Sequence, residues 1–96
     1  MIADIKRRAL HRSKILQGQL KGIEKMIESE DYCMDIITQT LAIQKSLGSL
    51  NKLIVENHLR THIPEKLSSA DEKQQAEATK ELLDIYELTH NRSNGK

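Results

Sequence analysis

Between Asp31 and Ile63 the chain runs unbroken by proline, and Ile37, Leu41, Leu47, Leu50 and Ile54 recur at helical spacing. That periodicity predicts one long helix. The same stretch holds the only cysteine, Cys33, near its start, and His58 and His62 near its end. At about 100° per residue, His58 falls roughly 20° short of seven turns from Cys33, and His62 roughly 20° past eight. Cys33 therefore shares a stripe with both histidines, yet sits about 38 Å from His58 along the axis. One straight helix cannot bring the three side chains to a common atom. Two copies packed antiparallel can, with the dyad near Ser46 to Gly48, where Ser46, Gly48 and Ser49 are small enough for close approach. A Cys with a His-x-x-x-His pair is a three-ligand set for a transition metal. Two-fold symmetry makes two equal sites per dimer. The plainer alternatives are a buried cysteine serving as a small hydrophobe and a histidine pair on a wet helix face. The residues alone leave both open.

The 96 residues suffice for one domain, 1–96, with a core small enough that association with further copies adds stability. Tyr32 and Tyr86 are the only aromatics, and a Leu, Ile, Met and Ala core with a single proline predicts an all-α fold. One cysteine excludes an intrachain disulfide framework and fits a reducing compartment. The first residues, MIADIKRRALHRSK, have no apolar signal core, and no apolar run approaches a membrane span. A cytoplasmic protein without membrane contact is expected. The net charge of +1 is uninformative, but its distribution is not.

A first helix is expected over about residues 4–29, with Ile5, Ala9, Leu16, Leu20, Ile23 and Ile27 as its apolar stripe. Up to Ile27 the basic residues are Lys6, Arg7, Arg8, Arg12, Lys14, Lys21 and Lys25, against two acids, Asp4 and Glu24. Arg7, Lys14 and Lys21 repeat every seventh residue and fall nearly on one line. A line of cations suits the phosphate backbone of DNA; an ordinary solvated face is the alternative. Gly18 and Gly22, poor helix formers, would mark close helix contact. The second helix is expected over 31–63, capped by Asp31 and ended by Pro64, which disfavours helical angles at Ile63. After a link, EKLSS, Ser69 and Glu72 read as a capping box for a third helix over 69–89. Its expected buried side is Ala76, Thr79, Leu82, Leu83 and Tyr86, and Glu77 and Glu81 are placed to accept a hydrogen bond from a ligand histidine. Residues 90–96 read as a frayed tail. His11 reads as a surface or DNA-proximal residue and His90 as idle. No Gly-rich phosphate loop, GxSxG, HExxH or CxxC is present, so no enzyme is expected, and no helix-turn-helix is separate from the bundle.

RSKILQGQLKGIEKMI from Arg12 to Ile27, then Tyr32-Cys33, Gln39 and HLRTHI from His58, resembles the CsoR/RcnR family of metal-sensing repressors. The likeness spans about Ile5 to Tyr86. It implies three helices per subunit, an antiparallel four-helix-bundle dimer and a dimer-of-dimers tetramer. It also implies a metal site shared between subunits, and operator double-stranded DNA that is released when metal binds, opening efflux or detoxification genes. By position it makes Cys33, His58 and His62 the ligands, with Tyr32 beside them. It links Arg12, Lys14 and the Gly18-Gln19 pair to DNA. With the basic stripe, the candidate DNA residues are Arg7, Arg8, Arg12, Lys14, Gln19 and Lys21. Copper(I) members of the family usually have Cys where His62 stands, and nitrogen in place of sulfur moves preference toward Ni(II) or Co(II). Nickel and cobalt members carry an additional N-terminal His where this chain has Met1, and Tyr32 favours Cu(I). The balance of these residues leans to Ni(II)/Co(II), with Cu(I) close behind. Sensing of formaldehyde or thiol-reactive species through Cys33, and a structural helical adaptor without DNA, are the alternatives.

Overall fold

The computed structural model describes the backbone of residues 1–93 and the side chains of residues 1–89. All regular structure among them is helical: α1 (Ala3–Glu28), α2 (Cys33–Arg60), α3 (His62–Leu67) and α4 (Glu72–Ser93). None of these helices is long and apolar enough to cross a membrane. The chain divides into two compact units, Met1–Ile54 and the part from Val55 onward.

In the first unit α1 folds back on α2. Ile5, Ala9 and Leu53 form a buried cluster with Ile2 and Leu50 packed against it. Residues from the start of α1 thus meet residues far along α2, so the two helices run antiparallel. Leu16 and Ile43 are also buried. Four of the six residues of the expected α1 stripe turn inward, Ile23 among them as half-buried. Ile5, Ala9 and Leu16 are buried, whereas Leu20 and Ile27 are each 57% exposed. Ser13, Gln19 and Met26 are half-buried instead. They continue the line from Ile5 and Ala9 at three- and four-residue steps, while Leu20 and Ile27 lie to one side of it.

The turn between the helices is a six-to-one closure. Asp31 N–H donates to the Met26 carbonyl at 2.9 Å and Glu30 N–H to Ile27 at 3.0 Å. Glu30 adopts φ 51°, the left-handed position that glycine usually fills. Glu30→Gly is therefore expected to stabilise the hairpin by about 0.5–1 kcal/mol, the left-handed penalty exceeding the added chain entropy. Thermal unfolding of the variant checks this. The cap of α2 is Tyr32, not Asp31: the Tyr32 carbonyl accepts from Asp35 at 2.9 Å and Ile36 at 3.3 Å. Asp31 belongs to the closing turn, through its N–H, and the helix starts one residue further on.

In the second unit Ile63, Ala78 and Asn57 are buried, Ala78 completely. The expected helix 31–63 ends early, at Arg60, and a separate α3 begins at His62. Pro64 acts four residues back rather than one. It has no N–H for the Arg60 carbonyl, and its ring crowds that carbonyl, so the break falls at Thr61. Pro64 itself sits in the first turn of α3, where a missing N–H costs nothing. Thr61 secures the break, its N–H and Oγ1 both donating to the Asn57 carbonyl at 3.0 and 2.7 Å. Most of the expected link EKLSS is accordingly helical.

The start of the last helix also differs. The Asp71 carboxylate accepts the Lys73 N–H at 2.9 Å, so Asp71 and not Ser69 is the cap. Ser69 Oγ instead accepts the Asp71 N–H at 3.1 Å. The expected buried side of this helix is wrong by a rotation. Leu82, Leu83 and Tyr86 are exposed, while Ala78, Glu81, Asp84 and Ile85 turn inward. Helix continues over 90–93 where a frayed tail was expected. Residues 94–96 and the side chain of His90 lie outside the described residues.

Candidate metal centre

Cys33 is the first residue of α2 and its thiol is exposed. Tyr32 beside it is 73% exposed. His58 lies in the last turn of α2 and His62 opens α3. The break at Thr61 does not separate them. Their ring centroids are 5.2 Å apart and tilted by 38°. The two rings are thus close neighbours across the break.

The His58 ring is fixed from behind. Its Nε2 lies 2.6 Å from Oε1 of Glu81 on α4. The other carboxylate oxygen of Glu81 accepts from Lys66 Nζ. Lys66 Nζ is also 3.4 Å from Oε2 of Glu77. Of the two candidate carboxylates, then, Glu81 reaches a histidine and Glu77 reaches only Lys66. Lys66 was not anticipated. The signal was its place four residues after His62, one helical turn, hidden by reading this segment as a link.

The ammonium of Lys66, and next the bond to His58, hold the Glu81 carboxyl below its ordinary value of 4.5; partial burial acts the other way. Lys66 is correspondingly raised above 10.5 by Glu81, with Glu77 adding to it. A carboxyl lowered on folding contributes stability that is present above its ordinary value and lost as pH falls through the folded value. The second unit should therefore weaken in acid below pH 4.5, and Glu81→Gln should flatten that limb. Unfolding midpoints followed against pH for both proteins test this.

Cys33 belongs to the first unit and the histidines to the second. Among the described residues, no three His, Cys, Asp or Glu side chains within the single chain group so as to hold a metal. The basic residues Arg12, Lys14 and Lys21 are exposed on α1, as is His11. Arg7 pairs with Asp4, and Arg8 lies 3.9 Å from the same carboxylate. Gln19 differs from them: it is half-buried and its side-chain oxygen is enclosed without a hydrogen-bond partner in the chain.

Residues 5–87 match the family described as metal-sensitive transcriptional repressor. The copper-sensing transcriptional repressor CsoR of Mycobacterium ulcerans (strain Agy99) is 40% identical over 88 residues, 92% of this chain and 73% of that protein. CsoR of Mycobacterium tuberculosis (strain ATCC 25618 / H37Rv) is 40% identical over 84 residues, 88% of this chain and 68% of that protein. CsoR of Bacillus subtilis (strain 168) is 33% identical over 76 residues, 79% of this chain and 72% of that protein. The family regulates transcription and is not a family of enzymes. By the extent of the match and the residues that carry it, the chain belongs to the metal-sensitive transcriptional repressors, the CsoR/RcnR family that its sequence resembles.

Proposed function

We propose that this repressor senses copper(I). Cys33 of one subunit and His58 and His62 of an antiparallel partner form the site, two such dimers make the tetramer, and metal releases it from operator DNA in the cytoplasm. The observation that carries the reading is the histidine pair, with rings 5.2 Å apart and His58 anchored through Nε2 by Glu81. That anchor leaves Nδ1 with its lone pair free, so the donors fit a metal. An exposed thiol at the start of the same helix supplies sulfur.

The second support is the outward face of α2. Ile37, Leu41, Leu47 and Ile54 are between 42% and 58% exposed. At about 100° per residue all four fall within about 80° of the Cys33 and His58 stripe. The buried Leu53 and Asn57 lie on the other side of that helix, and the buried Ile43 at the margin between the two faces. An apolar face carrying the ligands at its ends is what an antiparallel second copy would cover.

The lean toward Ni(II) or Co(II) is not supported. It rested on nitrogen replacing sulfur at His62, whereas relatives at 40% and 33% identity are copper-sensing. A thiolate with two imidazoles also suits a three-coordinate Cu(I) ion.

When bound, the ion supplies a cross-link between two subunits through one sulfur and two nitrogens. The chain does the rest. Glu81 orients the His58 ring. The ends of two α2 helices are held in one relation. The Ile5, Ala9 and Leu53 cluster ties α1 to α2, so a shift in α2 is felt by the basic α1 face. A changed spacing of Arg12, Lys14 and Lys21 against phosphates costs contacts, affinity and salt dependence together. Anaerobic titration of the protein bound to labelled promoter DNA, read by anisotropy with Cu(I), Ni(II), Co(II) and Zn(II) in turn, tests the reading. Release by Cu(I) at one equivalent per subunit is expected. Release by Ni(II) or Co(II) and not by Cu(I) would overturn the metal assignment.

A further inference from the structure

Lys66 stands at the hub of a chain of contacts that the metal ligands alone do not explain. It projects from α3, one turn beyond His62, and its side chain is 27% exposed. Its Nζ donates to Glu81 Oε2, while Glu81 Oε1 lies 2.6 Å from His58 Nε2. Glu81 therefore bridges an ammonium and an imidazole, one oxygen to each. We propose that Lys66 is a positioning residue for the His58 imidazole, acting through Glu81 to fix which ring nitrogen is presented for binding. The inference rests on the copper-site reading for its purpose, but not for its geometry.

The chemistry follows from donor and acceptor roles. An ionised carboxylate only accepts, so the nitrogen facing Glu81 carries the hydrogen. His58 is thereby held as the Nε2–H tautomer, with Nδ1 left as the base. A carboxylate with one free oxygen can rotate or turn to water. Lys66 removes that freedom by occupying Oε2, so Oε1 stays on the ring. Glu77, 3.4 Å from the same Nζ, holds the ammonium from its other side. Among the described residues the carboxylate contact is made to His58 and not to His62, so the positioning falls on His58.

The test uses the full chain without metal first. His58 Nε2–H is followed by proton–nitrogen NMR in wild type, Lys66→Met and Lys66→Arg. A slowly exchanging proton is expected in wild type, at least tenfold faster exchange in Lys66→Met, and restoration in Lys66→Arg. Lys66→Gln makes the same prediction as Lys66→Met if the latter fails to fold. Competition with a Cu(I) chelator then reads affinity, expected to fall about 10- to 100-fold in Lys66→Met and to return in Lys66→Arg. Unchanged exchange in Lys66→Met and Lys66→Gln overturns the proposal whatever the metal result. If wild type shows no Cu(I) affinity, the copper reading fails, and the exchange measurement still decides the role of Lys66.

Discussion

Cys33→Ala is expected to abolish copper-induced release of DNA while leaving DNA affinity in the absence of metal unchanged. Cys33 is exposed at the start of α2 and makes no part of the α1 basic stripe. Removing one exposed sulfur should therefore cost no more than about 0.5 kcal/mol in stability. The loss falls on coupling. A metal effector of this kind shifts DNA affinity by about 5- to 150-fold, equivalent to about 1–3 kcal/mol. Without the sulfur, two imidazoles of one subunit remain, and they carry no link to the partner. Both the copper affinity and the coupling then fall, with the ratio of DNA affinities with and without metal going to one. Anisotropy titrations of both proteins at fixed salt measure that ratio. Full release from the Cys33→Ala protein would show that sensing does not pass through the thiol.

The sequence disclosed the helices more readily than their faces, and particular residues show why. Ile37, Leu41, Leu47 and Ile54 recur as helix periodicity demands, and the helix is there. The face they form is the exposed one; the contacts with α1 are made by Leu50 and Leu53. A helix with two apolar faces gives no sign of which one meets its own chain. The same ambiguity misplaced Leu20 and Ile27. On α4 the error had another cause. Ranking residues by hydrophobicity puts Leu82, Leu83 and Tyr86 inside, but Glu81 is drawn inward by Lys66 and His58. Small Ala78 takes the fully buried position. Polar attraction and close approach set that register, and neither has a period. Local signals failed only by short distances. The cap of α2 falls one residue after Asp31, the Ser69 hydroxyl is engaged by Asp71, and Pro64 broke the helix where its missing hydrogen would have pointed. Of the candidate site, the His58 and His62 pairing was legible from spacing. The Glu81 contact was anticipated as one of two options, and Lys66 was missed.

Leu41→Glu combined with Leu47→Glu should reduce the protein to monomers and remove both metal response and operator binding, though every proposed ligand remains. Leu41 is 58% exposed and Leu47 44% in the single chain, so neither is needed for the Ile5, Ala9 and Leu53 cluster. Helicity by circular dichroism should accordingly persist. The penalty arises between subunits. Burying a leucine contributes about 1.5–3 kcal/mol, and a carboxylate in its place adds the cost of desolvating a charge. In the proposed antiparallel dimer each substitution occurs twice, so the loss is on the order of 5 kcal/mol or more. That is at least three orders of magnitude in association, enough to leave monomers at micromolar protein. Sedimentation equilibrium reads the mass directly, and chelator competition reads the metal. Because Cys33 begins α2 while His58 lies in its last turn and His62 opens α3, a monomer keeps the two imidazoles without the sulfur they need. Copper affinity should therefore fall together with mass, in one step. A double variant that stays monomeric yet binds Cu(I) as tightly as wild type would place the whole site within one chain and end the shared-site reading.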